Sequence, residues 1–341
     1  MCLRRFAFSL LLAALPLARA EEPPSVFDAI SREVRGIYER SRGAVCTVEA
    51  DDEHGRVRGT GFLVDATGTL FTSYSVGGET EDIVVALGEE KYPATRLVAD
   101  SRSGLAVLRV EADKPLPFLP IGKARDLAIA SPLVALGYPL EMPLSPSFGI
   151  VAGFDIGFQG RFFATRHIRA NLPVQKGEGG APILNIKGEV VGVLISTLEG
   201  GSGLFALPIE AAQKVLADFH RHGRIRQGWL GVDVRVTDAP EHDSSARIRN
   251  LRADGPGHKG NLRPGDVLLQ IGDWKITSPE DVLNAAFYLS AEDPVLIRIS
   301  RAGHEHSFTI VPGDAPDGDG PVVQRQEAPT IGATTGLDLG R

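Results

Sequence analysis

The sequence is poor in cysteine, methionine and aromatic residues. Among its 341 residues are two cysteines, two methionines and only 6% aromatic residues. Cys2 falls in a segment that is predicted to be a cleaved leader, which leaves Cys46 as the one thiol and excludes a disulfide framework within the chain, even in an oxidising compartment. Because Cys46 lies in an apolar run, we expect a buried strand cysteine rather than a reactive one.

Long apolar runs are also scarce. The run at residues 6–17 follows Arg4 and Arg5 and precedes Ala18, Arg19 and Ala20. Its length of about 12 residues falls short of the ~20 needed to cross a bilayer, so we interpret residues 1–20 as a secretory signal peptide rather than a membrane anchor. We therefore expect an exported protein of the periplasm or cell envelope, with no membrane span after cleavage.

A basic excess is absent as well. The net charge is -7, and it becomes more negative once the three arginines of the leader are removed. This balance excludes a general nucleic-acid binder. His220 and His222 are two residues apart on a predicted helix and so do not share a face, and no cysteine or carboxylate pattern joins them. We expect no metal and no cofactor.

What is present predicts two folded units. Residues 21–43 carry apolar residues at helical spacing and predict an amphipathic N-terminal helix. Residues 44–208 are a series of short β-type runs separated by turns, typical of a sandwich or barrel. Residues 209–226 predict a linking helix, and residues 227–313 suit one small α/β domain. Residues 314–341 are rich in Gly, Pro, Asp and Thr, and we expect them to be disordered.

Several segments, in order and spacing, resemble the HtrA family of trypsin-like serine proteases. They are GTGFLVDATGTLFTSYSV (residues 59–76), SGLAVLRV (103–110), LGYP (136–139), FGIV (148–151), QKGEGGAPI (175–183) and GLFALP (203–208). The resemblance implies a mainly β protein, with a trypsin-like double six-stranded β-barrel at residues 44–208 followed by a small α/β PDZ domain at residues 227–313.

The resemblance also assigns the three catalytic positions of the barrel. The histidine position is Ser75, the aspartate position is Gly104 and the serine position is Gly179. Amide hydrolysis on such a scaffold needs a hydroxyl nucleophile, an imidazole base and a carboxylate that orients it. Glu178 is also expected to place a carboxylate beside the amides that would meet an oxyanion. We therefore expect a chain that is not an enzyme. His167 is the histidine nearest the 175–183 loop in sequence, although a core or surface histidine is the simpler interpretation.

The second unit carries the residues expected to bind a ligand. Trp229, Leu230, Gly231 and Val232 occupy the position of the loop that, in PDZ domains, offers backbone amides to the terminal carboxylate of a peptide. An edge strand after such a turn can be extended by a peptide strand. The facing helix is predicted at residues 279–289, with Leu283 and Phe287, four residues apart, as pocket walls.

Three functions remain open at this stage. The first is an exported HtrA-like pseudoprotease that binds polypeptide segments or C-termini through its PDZ domain, as an adaptor, chaperone or regulator of an active HtrA relative. The second is an active serine-type endopeptidase in protein quality control. The third is a structural subunit of an oligomer, with a homotrimer as the form that the resemblance suggests. Residues 26–42, with Phe27 and Tyr38 on one face, could contribute to such an assembly.

Overall fold

The computed structural model describes residues 25–158, 161–198 and 202–315. The predicted signal peptide, residues 1–20, lies outside this part of the chain. The tail predicted to be disordered, residues 314–341, also lies outside it except for Asp314 and Ala315, and Asp314 belongs to a short strand, which corrects the start of that tail. Helix α1 (Val26–Ser41) begins at a capping box in which Ser25 and Asp28 exchange hydrogen bonds. Its C-terminal half packs on the barrels, with Ile37 buried, whereas Phe27 near its start is 81% exposed.

The first barrel consists of six antiparallel strands, closed in the order β1-β2-β3-β6-β5-β4. A single helical turn, α2 (Tyr74–Gly77), follows β3 and packs against the barrel. The strands are β1 (Val45–Asp52), β2 (Gly55–Leu63), β3 (Thr69–Ser73), β4 (Glu81–Leu87), β5 (Glu90–Asp100) and β6 (Leu105–Val110). Cys46 is fully buried in β1 and its thiol donates to the carbonyl of Gly61, so the predicted buried strand position is confirmed.

The second barrel repeats this arrangement, closed in the order β10-β11-β12-β9-β8-β7. Its strands are β7 (Pro132–Gly137), β8 (Ser145–Phe158), β9 (Arg161–Ala170), β10 (Pro182–Leu184), β11 (Val190–Thr197) and β12 (Leu204–Pro208). Helix α3 (Ile209–His222) follows β12 and ends at Gly223, which takes the left-handed conformation with φ 69° that glycine adopts without strain. The apolar face of α3 joins the core between the barrels through Ile209, Ala212 and Val215.

The C-terminal unit is built around one antiparallel sheet in the order β14-β15-β16-β18-β19. The remaining strands and helices are β13 (Gly228–Trp229), β14 (Val232–Glu241), β15 (Ser244–Leu251), α4 (Pro256–Lys259), β16 (Val267–Ile271), β17 (Trp274–Lys275), α5 (Pro279–Phe287), β18 (Val295–Arg301), β19 (His304–Ile310) and β20 (Gly313–Asp314). Helix α5 ends two residues earlier than the predicted 279–289. The predicted fold class, a double six-stranded barrel followed by a small α/β domain, is confirmed.

The C-terminal unit packs on the second barrel through α5. Phe287 and Tyr288 join the core cluster that holds both barrels together. The side-chain oxygen of Asn284 accepts hydrogen bonds from the hydroxyl of Thr165 at 2.7 Å and from the backbone amide of Arg166 at 2.9 Å. The guanidinium of Arg166 also pairs with Asp281 at 2.5 Å. Helix α5 therefore presents one flank to the barrel and leaves another to its own sheet.

Candidate functional site

A groove of about 340 Å³ lies between β14 and α5. Its floor and walls are mainly aliphatic side chains: Leu230, Val232, Val234, Ile271, Val282, Leu283, Ala286 and Leu289. All of these except Leu283 and Ala286 also belong to the core of the C-terminal unit or pack against it. Strand β14 is the terminal strand of its sheet, so the edge that faces this groove is not paired with another strand of that sheet. Such an edge beside an apolar groove suits an added peptide strand.

One end of the groove is closed by the turn at residues 229–232. Gly231 has φ +70°, which a residue with a side chain adopts only with strain. A Cβ at this position would lie 3.0 Å from the ring of Trp229 and 3.2 Å from the Cβ of Arg252. The carbonyls of Leu230 and Gly231 accept hydrogen bonds from the amides of Gly257 and Arg252, at 2.7 and 2.9 Å. The turn is therefore fixed by its neighbours, and its backbone conformation favours glycine.

The predicted peptide-binding residues are only partly brought together. Trp229, Leu230, Gly231, Val232 and Leu283 line the groove. Phe287 does not, which corrects the pairing of Leu283 with Phe287. Its ring meets Tyr288 edge-on at 5.4 Å and packs into the core shared with the barrels.

The physical reason is the contact between α5 and the barrels. Val282, Leu283 and Ala286 of α5 line the groove, together with Leu289, which follows the end of the helix. Phe287, the last residue of α5, is 5% exposed and belongs to the core shared with the barrels. Leu283 and Phe287 are four residues apart, so helical spacing alone does not separate them. Sequence reasoning missed Val282, Ala286 and Leu289, whose apolar spacing of four and three residues was the available signal.

A second candidate site is the cleft between the barrels, about 630 Å³ in volume. Ser75 and Gly179 both line it. A Cβ built on Gly179 would lie 3.2 Å from the hydroxyl of Ser73 and 3.9 Å from that of Ser75, and these two hydroxyls are 2.9 Å apart. The amide of Tyr74 donates to the carbonyl of Gly104 at 2.6 Å. The residues at the three predicted catalytic positions thus lie close together, and their assignment as catalytic positions stays a prediction.

Gly104 leaves little room for a side chain, and Glu178 differs from what the sequence suggested. Gly104 has φ +76°, and a Cβ there would come within 2.3 Å of a methyl carbon of Ile195, so a larger side chain would have to displace that residue. Glu178 is turned away from the cleft. It is 3% exposed, its carboxylate packs against Gly137, and it accepts a hydrogen bond from the amide of Gln175. Burial raises the pKa of Glu178. The carboxylate therefore binds the amide of Gln175 at the start of the loop and does not line the cleft. We had expected it beside the amides that would meet an oxyanion, and that expectation is wrong.

His167 is a core residue of the second barrel. It is 2% exposed, its ring stacks on Phe163 at 4.3 Å, and its Nδ1 is 2.8 Å from the carbonyl of Thr165. Burial lowers the pKa of His167 to about 4, so the imidazole is neutral near pH 7. No histidine of the described residues lines the cleft.

Within residues 25–158, 161–198 and 202–315, no group of three or more His, Cys, Asp or Glu residues is arranged to hold a metal ion. Over the same part of the chain, the helices are too short or too polar to span a membrane.

Comparison with known families identifies both folded units. A model of the trypsin-like peptidase domain matches residues 59–193, and a model of the PDZ domain matches residues 228–311. Among curated proteins, the chain is 30% identical over 281 residues to a probable periplasmic serine endoprotease, DegP-like, of Halomonas elongata, which covers 79% of this chain and 59% of that protein. It is 30% identical over 273 residues to the protein of the same name in Pseudomonas fluorescens, covering 76% and 57%. The chain spans less than three fifths of the length of these relatives.

Solved structures share the fold. The HtrA-type protease AlgW with a tripeptide matches with a TM-score of 0.69 and 23% identity, over 84% of this chain and 99% of that one. The serine endoprotease from Yersinia pestis matches with a TM-score of 0.61 and 22% identity, over 87% and 100%.

The names of the relatives contradict one expectation. We expected a chain that is not an enzyme, and the curated relatives are named serine endoproteases. That expectation depended on Ser75, Gly104, Gly179 and the neighbouring Glu178, whereas the likeness to these proteins extends through both folded units. The comparisons favour the alternative that we kept open, a serine-type endopeptidase.

Proposed function

Because the chain belongs to the HtrA family, we propose that it is a periplasmic protein that binds polypeptide C-termini in the groove of its PDZ domain. The observation that carries this proposal is the groove itself, which combines the unpaired edge of β14, an aliphatic pocket and a turn closed by Gly231. The periplasmic location is supported by the names of the curated relatives and by the predicted signal peptide.

The groove offers each part of a C-terminal peptide a matching surface. A peptide added to β14 would form main-chain hydrogen bonds along the strand edge. Its last side chain would enter the pocket formed by Leu230, Leu283 and Leu289. Full burial of a side chain the size of valine or leucine contributes about 1.5–3 kcal/mol. The terminal carboxylate would meet backbone amides of the turn at Gly231, because concave turns of this kind bind anions.

The position of the groove also relates the bound peptide to the barrels. Helix α5 forms one wall of the groove and at the same time packs on β9 through Asn284 and Phe287. We propose that a captured polypeptide is held beside the double barrel in this way, and that association with further copies or with an HtrA relative would multiply the number of grooves.

A C-terminal peptide array tests this function. The purified chain is expected to bind a subset of peptides with an apolar last residue, and amidation of the terminal carboxylate is expected to abolish binding. Replacing Ala286 by leucine fills the groove and should remove the same hits. Ala239→Leu is the matched control, because Ala239 is exposed on β14 and does not line the groove. A blank array, or hits that survive both amidation and Ala286→Leu, would refute the proposal.

A second candidate function is serine endoprotease activity. It is supported by the names of the relatives and by the open cleft between the barrels, which Ser75 and Gly179 line. The buried hydroxyl of Ser73 lies behind them, 2.9 Å from that of Ser75. A serine nucleophile requires a base that accepts its proton, and no imidazole of the described residues lines this cleft. The test of this candidate is therefore a direct assay of serine labelling and of proteolysis.

The assay combines labelling with digestion. If the cleft is catalytic, a fluorophosphonate probe should label a serine that mass spectrometry locates at Ser73 or Ser75, and casein should be degraded. Replacing the labelled serine by alanine should then remove the label, whereas Ser101→Ala should keep it, since Ser101 is exposed outside the cleft. An unlabelled protein and intact casein would remove this candidate and leave peptide binding untouched.

A further inference from the structure

A crevice of about 270 Å³ separates the PDZ domain from the second barrel, and we call it the interdomain crevice. Its apolar walls are contributed by both sides. Phe154 and Ile168 belong to the barrel, and Trp274 and Tyr288 belong to the PDZ domain, where their rings stack at 4.7 Å. The interdomain crevice shares no lining residue with the peptide groove or with the cleft between the barrels.

The polar groups of the interdomain crevice are mainly hydrogen-bond donors. Arg125 and Arg166 line it, and so does one carboxylate, Glu210. The Nε of Arg125 lies 3.6 Å from Glu210, and the side chain of Arg125 is 63% exposed. Arg166 pairs with Asp281 and is 41% exposed. Both guanidinium groups therefore keep surface through which they can meet a further anion.

Asn284 adds a neutral donor whose orientation is fixed. The residue is 3% exposed and lines the interdomain crevice. Its side-chain oxygen accepts from the backbone amide of Arg166 at 2.9 Å, and a backbone amide can only donate, so the oxygen and nitrogen of the carboxamide are assigned without ambiguity. The same oxygen accepts from Thr165. The amide nitrogen, with its two hydrogens, is then the end of Asn284 that remains to serve a ligand.

We propose that the interdomain crevice is a binding site for a small aromatic carboxylate. The aromatic ring would pack between Phe154 and Trp274, and the carboxylate would accept hydrogen bonds from the amide of Asn284 and from Arg125. A volume of 270 Å³ equals about nine water molecules at ~30 Å³ each, which is room for one ring with a short side chain. Apolar walls with a few convergent donors are the usual form of a small-molecule site.

The site has a consequence for the arrangement of the two domains. A ligand that touches Phe154 on the barrel and Trp274 on the PDZ domain binds only when these two surfaces face each other. Occupancy would therefore stabilise the docked position of α5 against the barrel by mass action. This consequence does not depend on what the peptide groove binds.

Tryptophan fluorescence gives a local readout. The chain has two tryptophans, so Trp229→Phe leaves Trp274 as the one emitter. Titration of this variant with 3-phenylpropionate should change the emission saturably, and isothermal titration calorimetry should give the same dissociation constant. The uncharged analogue 3-phenylpropan-1-ol should bind about tenfold more weakly, because it lacks the hydrogen bonds to a charged carboxylate, and each such bond changes the dissociation constant by about tenfold or more.

Matched variants test the charged contact. Arg125→Gln should bring the affinity for 3-phenylpropionate down to that of the alcohol. Lys123→Gln makes the same change of charge two residues away, outside the crevice lining, and should leave the affinity unchanged. Absence of saturable binding by both methods would overturn the proposal. So would equal binding of acid and alcohol, or equal affinities in the Arg125→Gln and Lys123→Gln variants.

Discussion

The turn at Gly231 allows a prediction with a matched control inside the same domain. Gly231 has φ +70°, and a non-glycine residue in the left-handed region costs about 1–2 kcal/mol. In Gly231→Ala the new Cβ would also stand 3.0 Å from the ring of Trp229 and 3.2 Å from the Cβ of Arg252. The ring forms part of the groove lining, so its shift by a few tenths of an ångström changes the groove. We expect backbone strain to lower the unfolding free energy by about 1–2 kcal/mol. We also expect peptide binding to be at least about tenfold weaker.

Gly303→Ala separates strain from function. Gly303 has φ +81° in the turn between β18 and β19, and a Cβ there meets nothing within 4 Å. This variant should lose a similar unfolding free energy in urea, because the backbone cost is the same, and should keep the affinity for the peptide selected from the array. Fluorescence polarisation with that peptide, labelled at its N-terminus, measures the affinity. If Gly231→Ala binds the peptide as tightly as Gly303→Ala does, the turn is not the carboxylate site and the reasoning fails.

Three further predictions concern buried groups of the barrels. Burial raises the pKa of the Cys46 thiol, so a thiol reagent should leave native protein unlabelled and react only in denaturant; rapid labelling of native protein would contradict this. Burial lowers the pKa of His167 to about 4. As the pH falls from about 6.5 to 4, the unfolded state therefore binds a proton that the folded state does not bind, and about 3 kcal/mol of unfolding free energy should be lost. Urea unfolding against pH should show this slope in the native sequence and a flatter one in His167→Gln. Thr165→Val removes the hydrogen bond to Asn284 and should cost about 1 kcal/mol of unfolding free energy, against almost no change for the exposed Thr95→Val.

Much of the fold follows from local pattern. Short strands separated by turn residues predict a sandwich or barrel. Apolar and polar residues alternate along each strand, and glycine and other turn-forming residues lie between the strands. The apolar run around Cys46 predicts a buried strand, and the structure places the thiol in the barrel core. The turn at Gly231 was also predictable, since a tight turn with positive φ requires glycine.

The rest depends on contacts between residues that are far apart in the chain. Asn284 bonds Thr165 across 119 residues, and Phe287 fills a core shared with the barrels. A helical spacing gives the faces of α5 but not which face meets the barrel, and this is why Phe287 was misplaced in the groove. Glu178 was misplaced for a related reason, because sequence adjacency to Gly179 says nothing of the direction in which its side chain turns.

Asp281 links the start of α5 to its docking on the barrel. One oxygen of its carboxylate accepts from the amide and hydroxyl of Thr277 and from the amide of Ser278, which caps the helix. The other oxygen pairs with Arg166 of β9. Burial would raise the pKa of Asp281, but the hydrogen bonds from Thr277 and the charge of Arg166 prevail and lower it, so the carboxylate stays ionised. The same charge therefore orders the helix that forms the groove wall and fixes that helix to the barrel. The interdomain crevice is lined by Arg166 and Asn284, so a ligand bound there would contact the residues that dock this helix on the barrel.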